Sequence, residues 1–331
     1  MNQNAPLFPN PPSIGVTRRL AAIGECMIEI GGNGKGGLQQ GMAGDTYNTI
    51  VYLARLLGSS RWRVHYVTAM GEDPFSERML HQWQLEGIRC ELVARIPDKN
   101  PGLYYIHLNE SGERSFTYWR NDSAARQCFE HPGADATLKE LESFDLIYIS
   151  GISLAILPET SRIKLLATLD KMRAKGGKVV FDNNYRPNLW SSVDEAKRVY
   201  NQFLAKCDIA LLTLEDEQLL FNSPSAEHVL VRCASLGIDE IVIKRGAEPC
   251  LVRFDHGVLS IPAEPVTKVV DTTAAGDSFS GAYLAARLHG KSPRLAAKWG
   301  HKLASTVIQH RGGILARKYM PDMLTLGEAT N

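Results

Sequence analysis

The sequence lacks an excess of either charge. Its 331 residues contain 37 Lys and Arg against 36 Asp and Glu, which gives a formal net charge of +1. Phosphate backbones and anionic membranes attract strongly basic surfaces, so this composition gives no reason to expect nucleic acid or a membrane as a partner. A small molecule is therefore the expected ligand.

Cysteine motifs are also missing. No two cysteines form a Cys-x-x-Cys pair, and no histidines stand beside them at metal-ligand spacing, so no dedicated metal ligands are identified. The pattern predicts reduced packing residues and a cytoplasmic protein. The six cysteines are Cys26, Cys90, Cys128, Cys207, Cys233 and Cys250.

Long apolar segments are absent as well. No stretch approaches the roughly 20 consecutive apolar residues of a membrane span. Residues 1–19 contain four prolines and no apolar run of the kind that a signal peptide needs. We expect these residues to form a mobile N-terminal tail.

What the sequence does contain is an alternation of short apolar runs and longer amphipathic segments. The runs predict strands at residues 20–30, 64–69, 146–150, 178–182, 209–213 and 240–244. The amphipathic segments predict helices at residues 46–57, 74–86, 161–175, 193–204, 227–235, 278–288 and 293–310. This order predicts βαβ units and hence an α/β fold, with a doubly wound, mostly parallel sheet flanked by helices.

Two stretches, residues 28–42 and 101–120, interrupt this alternation. In the second, two β-prone runs flank a polar segment with a glycine, which predicts a β-hairpin. Such strands do not easily join a parallel sheet, so we expect them to form a small β-sheet lid on a single domain, residues 20–331. Because an exposed sheet can pair with a second copy, a homodimer is also expected.

The most informative stretch runs from Asp271 to Asp277, through two threonines, Ala274, Ala275 and Gly276. It is typical of a strand end, a small-residue turn and a helix start. Small residues there let backbone N–H groups approach a phosphate, and the helix dipole favours its charge. Asp277 would accept a proton from a hydroxyl group held against that phosphate. The alternative is that Asp277 merely favours a helix N-terminus and Gly276 a turn.

Several segments, in order over nearly the whole chain, resemble those of the ribokinase-like, or PfkB, carbohydrate kinases. They are residues 43–48 with 53–58, residues 71–75, residues 244–247 and residues 271–279. The sequence departs from the family at Thr213 and Asp216, where the family has Asn-x-x-Glu, and at Ala43, where it has glycine. The resemblance implies the ribokinase-like fold and transfer of the γ-phosphoryl group of ATP, with Mg²⁺ bridging the phosphates.

Within the family, residues 44–48, 102–104, 118–120 and 182–187 are most similar to kinases of a sugar acid. This similarity implies 2-keto-3-deoxygluconate as acceptor and 2-keto-3-deoxy-6-phosphogluconate as product. The implied catalytic residues are Asp277, as general base, and Gly276, Ala275 and Ala274. The implied substrate-binding residues are Gly44, Asp45, Thr46, Tyr47, Asn48, Tyr104, Tyr118, Arg120, Arg186 and Asp277. The implied nucleotide-binding residues are Asn184, Arg186, Lys244, Arg245, Gly246, Ala247, Ala274, Gly276 and His301.

Two arginines argue for an anionic sugar on physical grounds. The guanidinium groups of Arg120 and Arg186 can each bind a carboxylate through two parallel hydrogen bonds, a charge that a neutral hexose would not use. Tyr118 and Arg120 alternate along a strand, so they point to the same side. Alternatively, Arg186 caps a helix or pairs with an acid, and residues 118–120 are an ordinary strand face.

Three other functions compete with this interpretation. Another sugar kinase of the family, of fructokinase or ribokinase type, would differ mainly in lid and loop residues. A non-catalytic sugar-acid sensor would keep the binding residues, although it would have no need of Asp277 as a base. A nicotinamide-dependent dehydrogenase shares the βαβ order, but the first strand runs into Gly24 and Glu25 without a Gly-x-Gly-x-x-Gly motif.

Overall fold

The structure, a computed structural model, describes residues 6–8, 17–32, 37–58, 60–108 and 114–323. Its strands are β1 (Arg18–Ile23), β2 (Met27–Gly32), β3 (Leu38–Ala43), β4 (Trp62–Met70), β5 (Val93–Arg95), β6 (Leu103–Leu108), β7 (Arg114–Trp119), β8 (Leu146–Ser150), β9 (Lys178–Asp182), β10 (Ile209–Thr213), β11 (Glu240–Lys244), β12 (Cys250–Phe254) and β13 (Gly257–Ile261). Its α-helices are α1 (Asp45–Leu57), α2 (Pro74–Leu85), α3 (Ala134–Leu141), α4 (Gly151–Ile156), α5 (Glu159–Ala174), α6 (Val193–Leu204), α7 (Leu214–Phe221), α8 (Ala226–Ser235), α9 (Ala275–Leu288) and α10 (Pro293–Val307).

The larger sheet contains nine strands in the order β13-β12-β11-β10-β9-β8-β1-β4-β5. The strands from β11 to β5 run parallel, and β12 with β13 adds an antiparallel hairpin at one edge. The predicted doubly wound, mostly parallel sheet is therefore confirmed. Strand order reverses at β1, which lies between β4 and β8, and a crevice for ligands forms at the carboxyl ends of the strands around such a point.

Helices cover both faces of this sheet, and the strand residues divide between two cores. In β1, Leu20 and Ala22 face the core that also contains α1, α9 and α10, whereas Ala21 and Ile23 face the core formed with α3 to α8. Side chains of a strand alternate between faces, so strands buried on both sides are continuously apolar. Each fully buried Leu or Ile contributes about 1.5–3 kcal/mol to folding.

The smaller sheet has the strand order β3-β2-β6-β7, and we call it the lid sheet. The expected smaller β-sheet is confirmed, and β6 pairs antiparallel with β7. The polar segment of that hairpin, residues 109–113, lies outside the described residues. Trp119 and Tyr118 at the end of β7 are exposed.

The single strand predicted at residues 20–30 is wrong, because the chain leaves the main sheet after β1 and enters the lid sheet as β2. The break occurs at Gly24, where an added Cβ would stand 2.1 Å from the Thr46 hydroxyl oxygen and 2.9 Å from that of Ser153. Only glycine fits this close approach. The apolar run continues through the break, so periodicity alone gives no sign of it.

Most of the predicted N-terminal tail, residues 1–19, falls outside the described residues. Of the part that is described, Leu7 is buried in the core of α1 and α9, and the Phe8 ring lies 5.4 Å from that of Trp62. Within the described ranges, no helix is both long and apolar enough to cross a membrane.

Several helices begin at a side chain that caps their first N–H groups. Asp73, Ser192 and Ser292 accept hydrogen bonds from backbone N–H groups at the starts of α2, α6 and α10. By contrast, α1 begins at Gly44 and α9 at Ala274, and neither has a side-chain cap. In α9 the N–H of Ala275 donates to the Thr272 backbone oxygen at 3.2 Å, and no side chain caps the N–H groups that follow it in the first turn.

The helices α1 and α9 cross closely at Gly281. A Cβ added there would lie 2.7 Å from the backbone oxygen of Thr49 and 3.1 Å from Cβ of Tyr52. Both helices carry polar residues at their N-terminal ends, so this crossing sets the distance between those residues.

The Gly281→Val variant is expected to lose about 1–3 kcal/mol of unfolding free energy, because the added atoms overpack the crossing. Urea denaturation followed by circular dichroism measures the loss. Gly32→Val is the matched control, since nothing lies within 4 Å of a Cβ at that position. Equal losses in both variants would contradict the role of the crossing.

Candidate active site

Polar residues from several elements meet at the carboxyl edge of the main sheet. Asp182 and Lys244 are the last residues of β9 and β11, and Asp45 is the first residue of α1. Asp277 lies in the first turn of α9. The edges of parallel strands and the starts of the following helices come together there, which gives the crevice predicted by the strand order.

Asp277 is held by α1. Its carboxylate accepts a hydrogen bond of 2.8 Å from Asn48 Nδ2, and its backbone oxygen accepts one of 3.2 Å from the Thr49 hydroxyl. Burial raises the pKa of the Asp277 carboxyl to about 8, and the charges of Asp45 and Asp182 add to the rise. A carboxyl group with a pKa near the working pH is suited to act as a general base.

The turn before α9 has the shape of an anion-binding site. Ala274 adopts the left-handed conformation, with φ of 60° and ψ of 17°, at a cost of about 1–2 kcal/mol for a residue with a Cβ. The Asp271 carboxylate fixes the turn by accepting hydrogen bonds from the backbone of Thr273 at 3.0 Å and Gly312 at 2.7 Å. The uncapped N-terminus of α9, with Ala275 and Gly276, is thereby presented to the crevice.

Asp45 lies opposite this turn. Its carboxylate accepts a hydrogen bond of 3.0 Å from Asn184 Nδ2, and Asn184 itself adopts a positive φ of 24°. Burial raises the pKa of Asp45, although a hydrogen bond from Ser150 opposes the shift. The guanidinium of Arg120 also opposes it, which places Arg120 within electrostatic reach of Asp45.

Arg120, at the end of the lid sheet, forms an ion pair with Glu25 in which both side chains are buried. The pair is incomplete, because Arg120 Nε and Glu25 Oε1 have no hydrogen-bond partner. Asn48 Oδ1 lacks one as well. Buried polar atoms are normally paired, so these three atoms keep hydrogen-bonding capacity that the side chains around them leave unused.

The two lid tyrosines lie side by side. The rings of Tyr104 and Tyr118 are 5.7 Å apart, and Tyr118 is about half exposed. Tyr104 is buried and donates its hydroxyl proton to Glu29. This hydrogen bond fixes the Tyr104 ring while Tyr118 remains accessible.

Two of the predicted substrate residues turn their side chains into the core. Tyr47 packs against Trp83 at a ring distance of 5.9 Å, and the Thr46 hydroxyl lies 3.0 Å from that of Tyr66. Gly44 comes so close to Glu25 that a Cβ would stand 2.1 Å from its backbone oxygen. Of residues 44–48, it is therefore the side chains of positions 45 and 48 that reach the crevice.

The predicted nucleotide residues are spread over a wider region. Arg245, Gly246 and Ala247 form the turn after β11, where Arg245 donates to the backbone oxygen of Pro249 at 2.7 Å. Lys244 points inward and pairs with Asp182.

Two further residues of that prediction, His301 and Arg186, differ in their exposure. His301 is buried, with its ring edge-on to Phe279 and Nε2 at 3.2 Å from the Ile261 backbone oxygen. Arg186 is exposed and lies 3.6 Å from Asp216.

Sequence reasoning missed several residues that shape the site. Asp182 and Asp271 lie within the recognised motifs but were given no role. Asp182 ends β9, and Asp271 begins the turn before α9. Glu25 follows the glycine at which the first strand breaks, and no local pattern connects it with Arg120. The available signal was the charged residue itself, since a glutamate within a predicted buried strand needs a partner.

Similar proteins were found by sequence and by structure. Residues 17–318 match the sequence profile of the pfkB family carbohydrate kinases. The 2-dehydro-3-deoxygluconokinase of Dickeya dadantii (strain 3937) is 52% identical over 308 residues, which cover 92% of this chain and 99% of that protein. That of Escherichia coli (strain K12) is 50% identical over 309 residues, covering 92% and 100%. A solved ribokinase II from E. coli, in complex with ATP and Mg²⁺, has a TM-score of 0.78 at 20% identity and covers 94% of this chain and 98% of its own.

The Glu25→Ala variant is expected to lose about 3–5 kcal/mol of unfolding free energy, because it leaves the Arg120 guanidinium buried without a partner. Replacing both residues, as Glu25→Ala with Arg120→Met, removes the unpaired charge and is expected to recover much of the loss. Urea denaturation of the single and double variants measures both effects.

An exposed ion pair provides the control for this cycle. Glu159 and Arg198 are joined at 3.2 Å with about half of each side chain exposed, so Glu159→Ala is expected to cost less than about 1 kcal/mol. If Glu25→Ala costs no more than Glu159→Ala, the Arg120 charge is solvated in the variant and our interpretation of the pair is wrong.

Proposed function

The chain belongs to the pfkB family of carbohydrate kinases, and we propose that it phosphorylates the sugar acid 2-keto-3-deoxygluconate, also called 2-dehydro-3-deoxygluconate, with ATP. The product is 2-keto-3-deoxy-6-phosphogluconate. The observation that carries the proposal is that Asp277 and an uncapped anion-binding turn share the first turn of α9. Relatives 50–52% identical over more than nine-tenths of the chain favour this acceptor over those of fructokinases and ribokinases.

The acceptor sugar lies between the strand ends and the lid sheet. Its terminal hydroxyl is placed against Asp277, with Asp45 and Asn48 binding neighbouring hydroxyls. Its carboxylate is directed at the lid, where Arg120 has an unused Nε donor. Arg186 is exposed at the edge of the crevice, and its guanidinium group adds positive charge.

Tyr104 and Tyr118 cover the sugar from the lid sheet. Tyr104 is fixed by its hydrogen bond to Glu29, so its ring forms a firm wall of the site. Tyr118 is about half exposed, so its ring is accessible to the ligand. Closure of this side excludes water, which competes with the sugar as phosphoryl acceptor.

ATP lies along the carboxyl ends of β9 to β11, with its γ-phosphate against the turn of Ala274 to Gly276. The turn of Arg245 to Ala247 borders the adenosine side, together with Asn184 and the second half of α10, which contains His301. Mg²⁺ neutralises the charge of the phosphates when it is bound. Among the described residues, no group of three or more His, Cys, Asp or Glu is arranged to hold a metal.

The chemistry follows from this placement. Asp277 takes the proton of the acceptor hydroxyl as the hydroxyl oxygen bonds to the γ-phosphorus, and the bond to the ADP oxygen breaks. The first-turn N–H groups of α9 stabilise the charge on the transferring group. Asn48 keeps the Asp277 carboxylate oriented through its 2.8 Å hydrogen bond.

The function is tested by ADP release from Mg-ATP with 2-keto-3-deoxygluconate, fructose, ribose and gluconate as separate acceptors. We expect turnover with the keto-deoxy sugar acid and none approaching it with the other three. Turnover with only fructose or ribose would assign the enzyme to another sugar. Tight binding of the sugar acid without ADP release would identify a sensor.

The Asp277→Asn variant is expected to lose about 10²- to 10⁴-fold in kcat, since the general base is removed. Binding of ATP and sugar acid, measured by calorimetry, is expected to remain. In the wild type, kcat/KM is expected to rise with pH through the pKa of Asp277, which burial places at about 8, because the base acts only when ionised. An Asn variant with wild-type kcat would refute the role of Asp277.

The exposed face of the lid sheet favours a homodimer. Leu38 and Trp119, which lie on the same face of the lid sheet by register, are 68% and 59% exposed, which is unusual for large apolar side chains in one small sheet. Light scattering is expected to give twice the mass of one chain, and Trp119→Lys is expected to shift the protein toward the monomer. A wild-type monomer at micromolar concentration would overturn this assignment.

A further inference from the structure

Asp182 is a buried carboxylate for which the proposed reaction has no use. It is 3% exposed at the end of β9. One of its oxygens accepts hydrogen bonds from Lys244 Nζ at 2.8 Å, from Ser280 Oγ at 2.8 Å and from the Tyr148 hydroxyl at 3.3 Å. Lys244 also donates to Ser280 at 3.2 Å. A single oxygen atom thus joins β8, β9, β11 and α9.

This cluster lies directly behind the catalytic turn. Ser280 follows Gly276 by four residues, so the two share one face of α9. Lys244 Nζ is 3.5 Å from the place where a Cβ on Gly276 would stand. The ammonium group of Lys244, at the end of β11, therefore approaches the first turn of α9 from the side of the sheet.

The charges facing Asp277 come from three elements. Asp45 on α1 and Asp182 on β9 disfavour its ionised form, and Lys244 on β11 favours it. Asn48 on α1 adds a neutral hydrogen bond. Lys244 thus offsets a local excess of negative charge while it is tied to Asp182.

A second buried ion pair joins the same two elements at their other end. Glu240, the first residue of β11, pairs at 3.0 Å with Arg287 in the last turn of α9, and both side chains are almost fully buried. Tyr283 donates to Glu240 at 2.6 Å. The helix α9 is therefore fixed to β11 at both ends, but only the Lys244 end adjoins the reaction.

We propose that Lys244 and Asp182 are positioning residues for phosphoryl transfer, which through Ser280 hold the first turn of α9 on the strand ends and through their charges set the ionisation of Asp277. This inference rests on the proposed function, in which Asp277 is the base. It differs from the nucleotide contact predicted for Lys244 from sequence, since the ammonium group is directed at Asp182.

The two charges have opposite effects on the base. Removing the positive charge of Lys244 leaves Asp277 facing Asp45 and Asp182, so its pKa rises. Removing the negative charge of Asp182 leaves Lys244 in place, so the pKa of Asp277 falls. A purely structural role would instead lower the rate of both variants by a similar factor at every pH.

The test is the pH dependence of kcat/KM for the wild type, Lys244→Met and Asp182→Asn. The limb on which the rate rises with pH is expected to move up by about one unit in Lys244→Met and down by about one unit in Asp182→Asn. Lys244→Arg keeps the positive charge, so the rising limb of its pH profile is expected to stay near the wild-type position. Glu240→Gln is the matched control, expected to lower the melting temperature without moving the limb.

Ser280→Ala separates positioning from charge. It removes a hydroxyl without changing any charge, so kcat is expected to fall several-fold while the limb stays in place. It also keeps the test decisive if Lys244→Met does not fold, because unchanged kcat in Ser280→Ala, or an unmoved limb in Asp182→Asn, overturns the proposal. An inactive wild type would refute the proposed function itself, whereas an active wild type with unmoved variant limbs would refute only this inference.

Discussion

Concentrated negative charge at the carboxyl edge of the sheet is the constraint on which the site depends. Asp45, Asp182 and Asp277 approach one another in a region sheltered from water. Burying an ionised carboxylate without a partner is unfavourable, so each of them requires a compensating group. The N-terminus of α9 supplies part of the compensation, because its dipole favours an anion in the first turn. Lys244 adds a positive charge from the end of β11, where it pairs with Asp182. The same arrangement that makes Asp277 difficult to ionise makes it a stronger base once it has ionised.

Packing places these charges with the accuracy that they require. Gly281 allows α1 and α9 to touch, so Asn48 and Asp277, which begin the two helices, meet within hydrogen-bonding distance. Tyr52 of α1 donates to the Gly313 backbone oxygen at 2.7 Å, and residue 313 in turn lies against Ala274. A shift of either helix would separate Asp277 from Asn48, whose hydrogen bond orients it, and misplacement by about 1 Å can cost 10²-fold in rate. In the proposed reaction, the packing of the hydrophobic core therefore determines the position of the base.

Much of the fold follows from the sequence, because strands buried on both faces leave unbroken apolar runs. The site is predictable where a local motif carries it, as from Asp271 to Asp277. Helical spacing would also have separated Asp45 and Asn48, which share a face of α1, from Tyr47, which faces the core. The pairing of Glu25 with Arg120 is not predictable in this way, because the two residues are 95 positions apart in the sequence and the lid sheet brings them together. No periodicity encodes such a contact, and only the folded chain reveals it.

We propose that this pair helps the site to select an acid over a neutral sugar. Glu25 neutralises Arg120 in the empty site, so the buried guanidinium is stable before the ligand arrives. The unpaired Nε of Arg120 and Oε1 of Glu25 nevertheless remain. A sugar acid brings an acceptor for the first and hydroxyl donors for the second. A neutral sugar brings no carboxylate, and a buried donor left unpaired costs about 1–3 kcal/mol, more when it is charged. A neutral sugar is then rejected because it leaves this buried donor unpaired. An unpaired buried group discriminates between ligands more strongly than shape complementarity alone.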